Sequence, residues 1–505
     1  MKKFLFWLVP FMMGNVCHAE DITVRYNGAK AIVKQQTKDS VSVTVDGASV
    51  SIESQYKEHQ ITLLLTGKSD NGQLTLKTAG KAKVKLDNLT LTSQEGAPLC
   101  LKNKKKVEVV AAKGTTNSLT ITACNDTANH KAATIWAKDK LLLSGKGTLH
   151  VVATGDGCRG IKTKKDITIE ELTLHVTTSG NNLGEKPFGF GGGFPNFGND
   201  SIPFGGFPGF NRDSIPFGGF PGFARDSIPM GNFPMPNFGG GFPSFGNDST
   251  SFGGFPNFGG DSTMQEGMGG FAGKHKYVAS TKGITSKGKI IINSGNIHVR
   301  TSTPGAEGIE GKKGIAFNGG HVNIVSLDDA INANATIEFN GAEVIARSMG
   351  NDAVDANPEG GFFPPFGGNQ KMEPLIIITG GTVYAWSQVG SPEEGLDSDF
   401  SPLAIKGGKV FSVGGSIGDA PSVPTNETAL QPTVLLTDLK VVKDEPINIY
   451  DDKGKLIDTV KIPFSMKHSA SIVSSPHFKV GNRYSVKTKD YEKTFTLSEP
   501  FTTVR

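Results

Sequence analysis

The chain is poor in cysteine, in long apolar runs and in excess charge of either sign. Of 505 residues only four are cysteine, and Cys17 falls in the first twenty, leaving Cys100, Cys124 and Cys158. An odd number excludes a complete disulfide framework in an exported protein, while one bridge with one thiol, or three thiols, both fit. Their spacing is not that of a zinc site. Lys plus Arg is 52 and Asp plus Glu is 48, so the strong basic excess of a dedicated nucleic-acid binder is missing. Beyond the N-terminus no segment is apolar enough to cross a bilayer, and no membrane span is expected. Helix start and stop signals are nearly absent. What is plentiful is Gly, at 65, and Phe, at 32 against 7 Tyr, and both excesses are local.

The N-terminus, MKKFLFWLVPFMMGNVCHAE, has two lysines, a short apolar run and small residues before a cut after Ala19. That is the pattern of a secretory signal peptide over residues 1–19, so the mature protein is expected outside the cytoplasm, secreted or at the cell surface. A lipid on Cys17 is the competing reading, and Val16 is a poor residue before a lipidated Cys.

From residue 283 the chain repeats. GITSKGKIIINSGNIHVR begins at Gly283, GIEGKKGIAFNGGHVNIV at Gly308, AINANATIEFNGAEVIAR at Ala330 and AVDAN at Ala353, spaced 25, 22 and 23 residues. Apolar residues keep one register through them. Ile284, Ile290, Ile292, Ile297 and Val299 correspond to Ile309, Ile315, Phe317, Val322 and Ile324, then to Ile331, Ile337, Phe339, Val344 and Ala346. Ile161, Ile167, Ile169, Leu174 and Val176 fit the same frame upstream, and the unit from Ile135 slips by one residue. Each unit holds an aliphatic start and two short alternating strands, joined by Asn-Gly corners such as Asn318-Gly319-Gly320. Such a unit cannot bury its apolar face alone, so copies must stack. The fold expected is all-β, a parallel β-helix over residues 20–428 with about 4.8 Å between rungs. An antiparallel β-sandwich is the alternative, and hairpins do not explain one register held through four units.

Residues 187–272 interrupt the repeat with Gly, Phe and Pro and with Asp-Ser at 200, 213, 226, 248 and 261. This is a low-complexity insertion expected to be disordered. Its Phe content suits self-association; a loop lengthened by simple repeat expansion is the plainer reading. A smaller relative, GGFFPPFGG, occupies 360–368. Residues 429–505 change character to short charged strands, a C-terminal β unit.

In stacked rungs, equivalent residues form columns. Two before the starting aliphatic stand Glu307, Asp329, Asp352 and Glu394; just after it stand Glu310, Asn332, Asp355 and Asp397. Asp328, Asn351, Asn357 and Asp399 add oxygens nearby. Like charges on neighbouring strands repel, and solvation, protonation or a cation relieves them. Calcium takes six to eight oxygens in loose geometry, which such columns supply; a solvated acidic turn is the plainer alternative. Earlier rungs carry Trp136 and Lys162 in the same column, with Arg159, Lys164, Lys282 and Lys287 close by. A basic strip beside calcium suits an acidic polysaccharide, with Trp136, Lys162, Lys164 and Lys287 as glycan contacts; packing of Trp136 and ordinary strand surface for the lysines are the alternatives. His150, His175 and His298 share a column and could meet a transition metal or simply fill outward positions. Arg300 and Arg347 share another, where a lyase could place a base.

DDAINAN, NDAVDAN, IITGGTVYA, GTTNSLT and SSPHFKVGNRY, with the repeated strand–Asn/Gly–strand unit, resemble secreted bacterial carbohydrate-binding proteins. The resemblance implies a right-handed parallel β-helix similar to pectate lyases, bound calcium, and non-catalytic binding of plant cell-wall polysaccharide such as polygalacturonate or cellulose. Carried over residue by residue, it implies calcium ligands among Asp328, Asp329, Asp352, Asp355 and Asp397, with Asp399 beside them in the column. Arg159 and Lys282 stand where the pattern has an acid. A polysaccharide lyase and a structural or adhesive surface protein are the competing functions.

Overall fold

The computed structural model describes residues 21–36, 40–125, 131–185, 277–358, 372–399, 401–415 and 421–505. The expected signal peptide, the insertion at 187–272 and the short Gly/Phe/Pro stretch at 360–368 lie outside them. The described residues belong to one compact unit, and every regular element among them is a strand.

Most of those strands fall into three parallel ladders, because each repeated unit gives one strand to each. The first runs through Leu99–Leu101, Ala133–Ala137, Arg159–Thr163, Ile284–Ser286, Ile309–Gly311, Ile331–Ala333 and Val354–Ala356. The second runs through Leu141–Ser144, Ile167–Ile169, Ile290–Ile292, Ile315–Phe317, Ile337–Phe339 and Ile376–Ile378. The third runs through Thr148–Ala153, Thr173–Thr178, Asn296–Thr301, His321–Ser326, Glu343–Ser348, Thr382–Ser387 and Lys409–Val413. Successive units therefore pair in parallel, not as hairpins. The sequence register is the structural one: Ile284 lies opposite Ile309, Ile331 opposite Ile309 and Val354 opposite Ile331.

The inward residues of all three ladders form one continuous core of Ile, Leu and Val. Each full burial of such a side chain is worth about 1.5–3 kcal/mol, which is why a 22-residue unit with five apolar positions holds its register. Phe317 and Phe339 replace aliphatic residues in the second ladder and stack with ring centroids 5.0 Å apart. The unit starts narrowly: a Cβ on Gly308 would lie 2.4 Å from Ile324 Cγ2 and 2.6 Å from the Ala330 carbonyl oxygen. Corners are tied by an amide ladder, in which Asn340 Nδ2 donates to Asn318 Oδ1 and Asn318 Nδ2 to Asn293 Oδ1, both at 2.9 Å.

Two features depart from plain repetition. Leu183–Glu185 pairs antiparallel with Tyr277–Ala279, forming a neck where the chain leaves and re-enters the stack. The stack reads through this gap, since Ile161 lies directly opposite Ile284. At the other end, Ser471–Ser474 pairs antiparallel with both Lys409–Val413 and Thr433–Leu436, so that ladder strand does not present a bare edge there. Trp386, Phe411 and Val413, on the outer face of the third ladder, join a second core with Val434, Ile447, Phe464 and Phe495.

His150, His175 and His298 lie opposite one another and stack, with centroids 4.8 Å apart in each pair and planes within 13°. Imidazole lone pairs lie in the ring plane, so nearly parallel stacked rings aim them side by side and not at one shared point. Burial, then the neighbouring His150 and His298, hold His175 below the usual imidazole range. A base depressed in the folded state takes up more protons when unfolded, so stability is present above the unfolded value near 6.5 and is lost as pH falls below it. Thermal midpoints between pH 7.5 and 5 should fall less in His175→Asn than in the parent; equal slopes would remove the stack from the acid response.

Candidate metal centre

The first ladder carries two facing columns beside its outer surface. The residue after each starting aliphatic is Cys100, Trp136, Lys162, Thr285, Glu310, Asn332, Asp355 and then Asp397, each opposite the next. The residue two before it is Ala97, Ala133, Arg159, Lys282, Glu307, Asp329, Asp352 and Glu394. The paired columns run from apolar through basic to acidic. Most of their members are buried although they lie outside the main core.

The chain supplies its own cation to the first acidic layer. Lys282 Nζ lies 2.7 Å from Glu307 Oε1 and 2.8 Å from Glu310 Oε1, and Lys312 Nζ lies 2.7 Å from Glu310 Oε1. Burial pushes Glu310 up, but Lys282, Lys312 and Arg159 together prevail and hold it well below the carboxylate range. Burial raises Glu307, and Lys282 offsets this only in part.

The next layers differ. One carboxylate oxygen each from Asp329, Asp352 and Asp355 lie within 4.8 Å of one another, and all three residues are buried. The Asn332 amide nitrogen donates to Asp329 Oδ2 at 2.8 Å and to Asp355 Oδ2 at 2.7 Å. Asn357 Nδ2 donates to Asp355 Oδ1 at 2.8 Å, and the Glu394 amide to Asp352 Oδ1 at 2.5 Å. Burial first, then the charges of Asp397 and Asp355, raise Asp352 well above its usual range. Burial, then Asp355 and Asp399, push Asp397 up to about 7. The charged side chains that act on these two carboxyls are themselves acidic.

Of the six carboxylates expected to bind calcium, Asp329, Asp352 and Asp355 form this triad. Asp397 is the next layer, opposite Asp355, and accepts from Ser422 Oγ at 3.2 Å and from the Asp399 amide at 2.8 Å. The Asp399 backbone is left-handed, with φ 51°. The Asp328 side chain lies outside the triad and accepts from Asn351 Nδ2 at 2.9 Å. Glu394, whose Oε2 accepts from the Ser422 amide at 2.8 Å, completes the wall; the column pattern places it, but Ser422 has no signal in the repeat.

Among the expected glycan contacts, Lys164 and Lys287 are exposed, whereas Trp136 and Lys162 are buried. The indole packs against Ala97, Cys100 and Ala133, so it offers no open face for a sugar to stack on. Burial, then Arg159, lower the Lys162 ammonium to about 6. Arg300 and Arg347 stand on the third ladder, not beside the carboxylates, and Arg347 lies over the Phe464 ring.

A family model described as "Carbohydrate-binding domain-containing protein" matches residues 46–186 and 269–356, somewhat less than half of the chain. A search of curated proteins gave no match. Among solved structures, "Structure of the polysaccharide lyase-like protein from C. thermocellum, Gadolinium derivative" is similar at 15% identity and TM-score 0.39, over 70% of this chain and 98% of that one. No helix among the described residues is long and apolar enough to cross a membrane. The chain is thus similar, over the first and central units of its repeat, to proteins described by a carbohydrate-binding domain.

Proposed function

We propose that the chain is a non-catalytic, calcium-dependent polysaccharide-binding protein that acts outside the cytoplasm. In this reading the three ladders are the faces of a right-handed parallel β-helix, and Asp329, Asp352 and Asp355 hold calcium, with Asn332 and Asp397 at its margins. The observation that carries it is the contrast between adjacent layers. Lys282 lies within 2.8 Å of both Glu307 and Glu310, while one layer on the triad is buried and Asp352 is raised by burial first and then by Asp397 and Asp355. Two oxygens on one calcium ion at about 2.3–2.6 Å are separated by no more than about 5 Å, and the triad's 4.8 Å satisfies that limit. All its donors are oxygens, which favours calcium over zinc or copper. Turning the Asn332 amide over would present its oxygen in place of its nitrogen. Bound calcium would offset the repulsion among these clustered carboxylates.

The family description and the exposed Lys164 and Lys287 favour an acidic polysaccharide such as polygalacturonate. Arg300 and Arg347 lie apart from the carboxylates, which weighs against a lyase centre there. The intact protein should be retarded in native gels containing polygalacturonate with calcium and run freely with chelator. Retardation in neither condition would sink the acidic-glycan reading, and release of unsaturated uronides would replace binding by a lyase.

A further inference from the structure

Two of the cysteines converge where the chain turns from the third ladder back to the first. Strands Thr116–Ile121 and Thr148–Ala153 are parallel, with Ile121 opposite Ala153. The amides of Thr154 and Gly155 both donate to the Ile121 carbonyl, at 2.9 and 3.4 Å. A Cβ on Gly155 would lie 2.8 Å from the Thr122 carbonyl oxygen and 3.0 Å from Ala123 Cα, so its backbone rests on residues 122 and 123. The Cys158 amide then donates back to the Gly155 carbonyl at 3.1 Å, through a left-handed Gly157 at φ 65°. A turn of this kind keeps its first and last Cα atoms within about 7 Å. Cys158 therefore returns over the contact that Cys124 adjoins.

The side chains meet in the same place. Cys158 is buried with Ile121, Ala132 and Ala153, and the half-buried Cys124 packs against that small cluster. Cys100 belongs to a different cluster, with Ala97, Ala133 and Trp136. Burial, then the Cys124 charge, push the Cys158 thiol up to about 12.

We propose that Cys124 and Cys158 are joined in a disulfide when the protein meets a small disulfide oxidant of the oxidised-glutathione class. The more accessible Cys124 thiolate attacks one glutathione sulfur, the glutathione S–S bond breaks, and the first glutathione leaves as a thiolate that takes a proton from water. Cys158 loses its proton to solvent and attacks Cys124 Sγ; the mixed S–S bond breaks and the second glutathione leaves. Two protein thiols lose two electrons, and one glutathione disulfide becomes two thiols. The bridge ties two successive layers and spans strand Ala133–Ala137, and it does not include Cys100.

The test uses the full chain incubated with oxidised glutathione, alkylated without reduction and cut with trypsin. The expected product is peptide 114–131 joined to peptide 147–159, two hydrogens lighter than their sum, with Cys100 alkylated. Reductant should then lower the thermal midpoint by about 5 °C in the parent and in Cys100→Ser, and leave Cys124→Ser and Cys158→Ser unmoved. Alkylation of both Cys124 and Cys158 after oxidation, or a bridge that includes Cys100, overturns the proposal.

Discussion

Calcium added to chelator-treated protein at pH 8 should raise its thermal midpoint by about 5 °C, and Asp352→Asn with Asp355→Asn should abolish that rise. A ligand at about 100 times its Kd stabilises the folded state by about 2.7 kcal/mol, and for a domain of this size each kcal/mol moves the midpoint by roughly 2 °C or a little more. The double variant should also be more stable than the parent in chelator, because it removes two of the mutually repelling buried charges. The response has a definite pH sign. Asp397 is raised to about 7 in the folded protein, against about 3.9 for an unperturbed Asp. Without calcium, its contribution is present at low pH and is lost as pH rises through about 7. Calcium must displace such protons to bind, so its stabilising effect should be greatest above pH 7 and shrink towards pH 5. A midpoint indifferent to calcium at pH 8, or a double variant less stable than the parent in chelator, would sink the metal assignment.

Lys282→Met should cost about 3–5 kcal/mol in chelator, the usual penalty for breaking a buried ion pair from one side. The variant keeps the aliphatic stem and removes the ammonium that lies within 2.8 Å of both Glu307 and Glu310. Lys312 still reaches Glu310 Oε1 at 2.7 Å, but Glu307, already raised by burial, loses its ammonium. Urea denaturation with and without calcium separates two consequences. The loss should appear in chelator, and calcium should recover more of it than in the parent, because the layer becomes another acidic one. A loss below about 1 kcal/mol would mean that the pair behaves as an exposed salt bridge does.

The repeat was legible because stacking converts sequence spacing directly into spatial register. Ile284, Ile309, Ile331 and Val354 start units of similar spacing in the sequence and lie opposite one another in the ladder. The acidic column from Glu307 to Asp397 was legible for the same reason. Burial of the columns was not. Alternation assigns Trp136 and Lys162 to the outer side of a strand, but it does not say that the residue two before each strand lies beside that side. Position along the stack decides the rest: Lys282 stands one unit before Glu307 and pairs with both acids of the following unit. Composition did not separate Asp328 and Asp399 from the triad; in the structure Asp328 accepts from Asn351 and Asp399 has a left-handed backbone. The antiparallel hairpin of Ile22–Asn27 with Lys30–Gln35 left no repeat signal, since a single hairpin has no second copy to align.

The neck formed by Leu183–Glu185 and Tyr277–Ala279 has a consequence for inheritance. Because Ile161 pairs directly with Ile284, the framework does not register how many residues lie between the two sides of the neck. Doubling such a span costs only about 0.6 kcal/mol in closure entropy. A coding segment in which a 13-residue spacing recurs, with Asp-Ser at 200, 213 and 226 and again at 248 and 261, is prone to gain and lose copies during replication, and this branch point makes those changes nearly neutral for the stack. Alleles should therefore differ in length here far more than in the paired units, and the number of Phe-rich copies can drift or be selected without renegotiating any core contact.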